Sequence, residues 1–179
     1  MKYVDAGKYK KEIRHLYRAS FPVRERNPLP LLYRKMRSGK VIFRAVPDEN
    51  RFIGFIYVIE RETFAYLYYL AITPKERGKG YGSRILQGFK RMYHGKTLTL
   101  SIENPDEEGV TNQVERIRRL AFYECNGFQR LGIVTREFGV SFALLGTEQN
   151  VTRANYLSLM RDFLGRIGYR IIFFGENHT

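Results

Sequence analysis

An apolar run that breaks into alternating glycines constrains this chain more than any other stretch: Leu70-Ala71-Ile72-Thr73-Pro74-Lys75-Glu76-Arg77-Gly78-Lys79-Gly80-Tyr81-Gly82-Ser83. It predicts a strand, a glycine-rich turn and the first turn of an amphipathic helix. That arrangement holds a phosphorylated ligand. Gly78, Gly80 and Gly82 remove side chains, so backbone N–H groups converge on anionic oxygens, and the positive end of the helix dipole adds to their pull. Arg77 and Lys79 supply formal charge beside them. Ser83 stands where the last glycine of a dinucleotide fingerprint would be, and the Lys-Ser/Thr end of a nucleotide P-loop is missing. A pyrophosphate on a different cofactor is the expectation.

Two segments together carry a resemblance to a known family. Arg77-x-x-Gly80-x-Gly82 after an apolar strand resembles the Arg/Gln-x-x-Gly-x-Gly/Ala signature of the GNAT superfamily, the acetyl-CoA-dependent N-acetyltransferases. Ala121-Phe122-Tyr123-Glu124-Cys125-Asn126-Gly127-Phe128 is similar to the family's Leu/Phe-Tyr-Glu-x-x-Gly-Phe segment, where a helix ends and a strand begins. Either motif alone is weak. Both in this order, separated by a helix and a strand, are specific, against the alternative of two unrelated glycine-punctuated helix ends. The resemblance covers most of 1–145 and is strongest in 64–92 and 117–128.

A length of 179 residues suits one domain, with 44% apolar residues to bury a core without disulfides or metal. The expected organisation is a GNAT-like domain over 1–146 and a C-terminal extension over 147–179 packed on the same domain. No stretch is long or uncharged enough to span a bilayer, and Met1-Lys2-Tyr3-Val4-Asp5 lacks the apolar core of a signal peptide, so the expectation is a cytoplasmic protein without a membrane partner. Asn150 and Asn177 then head chance glycosylation triplets. Cys125 is the only cysteine, and His15, His94 and His178 offer no metal-ligand spacing, so no metal is expected.

The net charge of +13 invites a nucleic-acid reading. Lys and Arg are spread from Lys8 to Arg170 and interleaved with Glu, which argues against a nucleic-acid partner. Part of the excess suits a cofactor with several phosphates, and the remainder keeps the protein soluble or favours acidic partners.

Helices are expected over 8–19, with Ile13, Leu16 and Tyr17 on one face, and just after Pro28-Leu29-Pro30. The polar 22–30 connection borders the acceptor cleft if the resemblance holds, or is a solvated loop. Val41–Val46, Phe52–Glu60 and Thr63–Thr73 read as adjacent antiparallel strands, with Pro47-Asp48-Glu49-Asn50 as the first turn. Helix 80–93, strand 96–102, helix 112–125 and a hairpin over 128–145 turning near Phe138-Gly139 follow. Thr152 is an expected N-cap, Gly165 a stop, and Tyr169–Phe174 a last strand; this tail packs on the core or makes a homodimer contact. The fold class is therefore α+β: a GNAT-type mixed, mostly antiparallel central sheet flanked by helices, with a C-terminal helix and strand extension.

The resemblance also implies a chemistry. It lays pantetheine along the backbone of Leu70, Ala71 and Ile72 as an added strand, makes the Leu70 N–H an oxyanion donor, and puts the pyrophosphate on 78–83, where Arg77, Gly78, Lys79, Gly80, Tyr81, Gly82 and Ser83 bind it. Tyr123 is the candidate general acid for the departing thiolate, or else a packed aromatic at a helix end. Arg116 and Arg119 precede it by seven and four positions, where many relatives have Asn and Ala. They meet cofactor phosphate or an acidic acceptor, or belong to a solvated basic face with Arg118. Aligning Ala71-Ile72-Thr73 puts Tyr66 where histone-acetylating relatives carry a glutamate. Glu103 is then the candidate that deprotonates or anchors the amine, or an exposed loop acid. Cys125 reads as a small buried residue rather than a nucleophile.

The implied activity is acetyl transfer from acetyl-CoA to a primary amine by direct attack, with a non-catalytic CoA-binding or regulatory domain as the alternative. The basic balance favours amino-acid, peptide or acidic small-molecule amines over polyamines and aminoglycosides.

Overall fold

The computed structural model describes the chain except residues 38, 50 and 175–179, so Asn50, Asn177 and His178 of the expectations above lie outside the described residues. The chain divides into two compact units, Met1–Lys96 and Thr97–Thr179. The first holds β1 (Val4–Asp5), α1 (Lys10–Ser20), α2 (Leu29–Met36), β2 (Val41–Asp48), β3 (Arg51–Glu60), β4 (Phe64–Ile72) and α3 (Tyr81–Met92). The second holds β5 (Thr97–Glu103), α4 (Gln113–Cys125), β6 (Gln129–Glu137), β7 (Val140–Gly146) and α5 (Arg153–Phe174). The class read from the sequence, mixed α+β with mostly antiparallel strands flanked by helices, is the class observed.

In the first unit β1, β2, β3 and β4 pair in chain order, each antiparallel to the next. β1 is a two-residue element, too short for any alternation to show in sequence. α1 buries Ile13, Leu16 and Tyr17, the stripe expected, but starts at Lys10 because 6–9 wind as a 3-10 turn whose Gly7 N–H is capped by Asp5 Oδ1 at 2.7 Å. β3 is buried from Ile53 to Ile59, as a strand covered on both faces should be.

Two features of β3 and β4 shape the region after them. A Cβ at Gly54 would overlap the carbonyl oxygen of Ala71 and press on the Ile72 Cα at 3.2 Å, so only glycine lets the strands approach there. Gly54→Ala is expected to destabilise the fold by about 1–3 kcal/mol, read as a lower urea midpoint at unchanged slope. The register also slips: Tyr57 faces Tyr69 but Val58 faces Leu67, which leaves Tyr68 as the extra residue of a β-bulge.

In the second unit β7 lies between β5 and β6 and is antiparallel to both. The β6–β7 turn falls on Phe138 (φ 50°) and Gly139 (φ 73°), the two left-handed residues that match hairpin twist. Thr152 caps α5 as expected: its Oγ1 accepts the Asn155 N–H at 3.2 Å, and Asn155 Oδ1 accepts the Thr152 N–H at 2.9 Å. The helix breaks at Gly165 (φ 74°, ψ 169°), also as expected.

The strand expected over 169–174 is instead the second arm of α5. Tyr169 and Ile172 are buried while Ile171 is 58% exposed, a three-residue spacing that only a helix turns to one side. This second arm ends against the hairpin, where the Phe138 N–H donates to Ile172 O at 2.9 Å, and the first arm is tied to the same hairpin by the Tyr156 hydroxyl, which donates to Glu137.

Candidate active site

The glycine turn after β4 lies in the first unit. After β4 the chain makes one 3-10 turn, Pro74–Glu76, then a turn through 77–80 into α3. Gly78 and Gly80 both sit in the left-handed region (φ 75° and 76°), and no atom of the described residues lies within 4 Å of the space a Cβ would take at either. Gly80 is the N-cap of α3 and contributes no side-chain acceptor. The Arg84 N–H bonds to Gly80 O at 3.1 Å, so the amides of Tyr81, Gly82 and Ser83 are the ones left over at the positive end of the helix. An anion is the partner such amides lack.

Side chains hold this turn open. Glu76 binds Lys79 at 3.1 Å and Arg51 at 3.6 Å. The Tyr81 ring is buried, and its hydroxyl donates to Asp48 at 2.7 Å, a bond that raises its pKa. Ile85, Leu86 and Phe89 bury the opposite stripe of α3, which fixes the direction its first turn faces.

β4 leads into this turn. The Thr73 N–H donates to Ile53 O at 2.8 Å, which makes Ala71 and Tyr69 the residues hydrogen-bonded to β3. The main-chain groups of Leu70 and Ile72 therefore point away from β3. Arg77 Nε donates to Ile72 O at 3.1 Å, tying the turn to the strand end.

The bulge at Tyr68 brings two consecutive tyrosines to one partner, which regular alternation forbids. Asn27 Nδ2 donates to the Tyr68 hydroxyl at 2.7 Å and to that of Tyr69 at 3.2 Å, while Tyr17 donates to Asn27 O at 3.1 Å. The 22–30 connection is thus anchored to β4. Arg26 adds two bonds back to the end of α1, to Phe21 O and Arg18 O. Tyr66, which stands in place of a strand carboxylate, is buried.

In the second unit, the Tyr123 segment is a helix-stopping device. The Phe128 N–H donates to Tyr123 O at 3.1 Å and the Gly127 N–H to Glu124 O at 2.9 Å, with Gly127 left-handed (φ 73°). This is the Schellman arrangement, and its apolar contact is present too: the Phe128 and Tyr123 rings meet edge-on at 5.9 Å. Tyr, Gly and Phe at this spacing therefore fix the ring of Tyr123. The residue is half-buried, and desolvation pushes the phenol pKa up to about 12, opposed by the charge of Arg119. Cys125, expected buried, is exposed: it follows Tyr123 by two positions and so turns to a different side of α4.

Glu103, Arg116 and Arg119 come together. Glu103 accepts from Arg119 at 3.0 Å, from Arg116 at 3.5 Å, and from Asn112 Nδ2 at 3.1 and 3.3 Å. Arg116 is 4% exposed and also donates to Asn112 Oδ1, Asn104 O and Glu107. A guanidinium so enclosed is held by its own chain. Arg119, with 45% of its side chain exposed, keeps donors free for another anion.

Asn27, Tyr68, Asn104, Glu107 and Asn112 were not among the sequence candidates. The pairing of Asn104 and Glu107 with Arg116 depends on how α4 lies on β5. The role of Tyr68 depends on a register set by β3.

The description that fits the chain over residues 39–130, half its length, is the acetyltransferase (GNAT) domain. Curated protein sequences give no match. Among solved structures, a Bacteroides thetaiotaomicron protein assigned to the GNAT acetyltransferases superposes with TM-score 0.73 at 22% identity, over 94% of this chain and 97% of that one. The aminoglycoside 6'-N-acetyltransferase of Enterococcus faecium gives 0.60 at 18%, over 84% and 97%. The ribosomal-protein-S18-alanine N-acetyltransferase of Escherichia coli gives 0.59 at 12%, over 86% and 96%. At these identities the structures speak for the fold, and the family match speaks for the chemistry. Among the described residues no helix is long and apolar enough to cross a membrane. With the strand, the open glycine turn and the uncapped helix of the fold in place, the chain belongs to the GNAT acetyltransferases, acyltransferases that use acetyl-CoA.

Proposed function

We propose that the protein moves an acetyl group to a primary amine by direct attack, as one catalytic domain over 1–146 on which 147–179 packs, working in the cytoplasm. The observation that carries this reading is the uncapped first turn of α3 behind two left-handed glycines, next to a strand whose alternate amides are turned away from β3. Such a surface fits a diphosphate followed by a chain bearing amide groups.

Acetyl-CoA supplies a thioester whose acyl carbon accepts the amine nitrogen and whose sulfur leaves with the C–S electron pair. The amides of 81–83 hold the diphosphate, with Arg77, Gly78, Lys79 and Gly80 around it. Leu70 and Ile72 align the arm through the main-chain groups turned away from β3, with Ala71 between them held on β3, and the Leu70 N–H donates to the carbonyl oxygen as it gathers charge. The Tyr123 hydroxyl donates a hydrogen bond to the departing sulfur, and water completes the protonation. Arg119 offers its free donors to phosphate or to an acidic acceptor, whereas Arg116 acts by holding Glu103 and Asn112 in place. The lone pairs of Glu103 are already shared with three side chains, so it anchors the acceptor end, and the amine gives its proton to water.

The acceptor is the amine of an amino acid, a peptide or an acidic small metabolite. A net charge of +13 repels polycations such as aminoglycosides and polyamines, which two similar folds acetylate according to their names. Thiol release from acetyl-CoA with a panel of amines tests this. Turnover is expected with neutral or acidic amines and not with spermidine; turnover with spermidine alone would reverse the assignment, and none with any amine would favour a binding domain.

A further inference from the structure

A cleft of about 410 Å³ opens on the first unit between the start of α1 and α2. Lys10 and Arg14 from α1 and Arg37 just past α2 line it, and all three are exposed. None of them has a carboxylate partner among the described residues. The single acid of the cleft, Asp5, is engaged elsewhere: it accepts the Gly7 N–H at 2.7 Å and faces Arg44 at 3.7 Å. Unbalanced positive charge therefore faces the opening.

The wall supplies a donor and an apolar bed. The Tyr33 hydroxyl is out of water and has no hydrogen-bond partner among the described residues, an arrangement proteins avoid unless something completes it. Tyr33 lines the cleft together with Asp5 and Arg14, the charges that act on its hydroxyl. The ring itself packs on Phe43 at 5.0 Å and carries Lys10 above its face at 5.8 Å. Leu29, Pro30 and Met36 make the remaining wall.

We propose that this cleft is a second ligand site, for the phosphate monoester of a small apolar or aromatic alcohol. Arg14, Arg37 and Lys10 neutralise the dianion, the Tyr33 hydroxyl donates to a phosphate oxygen, and the body of the ligand lies on Leu29, Pro30 and Met36. The volume suits a molecule of modest size and is within the range of small-ligand pockets. No residue of the cleft belongs to β4, the glycine turn or α3, so the inference stands apart from the acetyl-transfer reading.

Calorimetric titration of the full chain with phenyl phosphate tests it, in the presence and absence of excess CoA, with inorganic phosphate as the control. Saturable binding that persists with CoA present is expected, tighter than for inorganic phosphate. Arg14→Gln should weaken it at least about fivefold and Tyr33→Phe about threefold, with CoA affinity unchanged in both. The proposal is overturned if there is no saturable binding, if CoA abolishes it, or if both variants bind like the parent. Failure of CoA to bind would count against the acetyltransferase reading and leave the cleft measurement intact.

Discussion

Tyr123→Phe is expected to lower kcat for acetyl transfer roughly tenfold to a hundredfold, the range for losing one hydrogen bond to a charged group, with the Kd of CoA unchanged. The phenol, pushed up to about 12 by burial, lies some 3.5 units above an alkyl thiol near 8.5, so full proton transfer is uphill by about 5 kcal/mol. In the proposed reaction the residue therefore stabilises the sulfur as charge builds on it, and water completes the protonation. The sign of the pH dependence follows. A group whose pKa is raised to about 12 stays protonated through the working range, so the parent shows no alkaline loss from Tyr123 below that pH. Its rate should rise with pH as more of the amine is neutral, and the variant should follow the same curve at a lower level. Phenylalanine keeps the ring against Phe128 and the Gly127 helix stop, so the variant folds. Parent-like kcat would reduce Tyr123 to its part in ending α4.

Gly80→Asp should abolish measurable CoA binding, a loss of at least about a hundredfold or about 2.7 kcal/mol. The backbone at Gly80 has φ 76°, which aspartate adopts at a cost of about 1 kcal/mol, and the space for a Cβ is open. The fold therefore survives. What changes is the charge at the mouth of α3, where the new carboxylate both repels a diphosphate and competes for the amides of 81–83. Gly80→Ala separates the two effects, since it brings the same backbone strain without the charge, and should weaken binding far less.

The parts of this protein legible in its sequence are those that depend on local chemistry. Ile85, Leu86 and Phe89 at helical spacing, Gly80 opening α3, Thr152 capping α5 and the Phe138-Gly139 turn each act through neighbours a few residues away. What stayed hidden depends on a distant partner. The bulge that turns Tyr68 and Tyr69 to the same Asn27 arises from how β4 registers on β3. The enclosure of Arg116 needs α4 laid over β5 and the 104–107 turn. The second arm of α5 misled for a related reason: Tyr169–Phe174 is apolar and aromatic enough for a strand, and only the face it presents to the hairpin selects a helix. Cys125 looked like a core residue because small apolar residues usually are, yet its position on α4 leaves it outside.

Isothermal calorimetry of CoA with the parent chain and with Gly80→Asp tests the central claim most directly, that the amides at the start of α3 grip the diphosphate. The account predicts one saturable site in the parent and none in the variant, with both proteins giving the same far-UV spectrum and comparable urea midpoints. Equal affinity in two folded proteins, or no heat of binding from a folded parent, would contradict it.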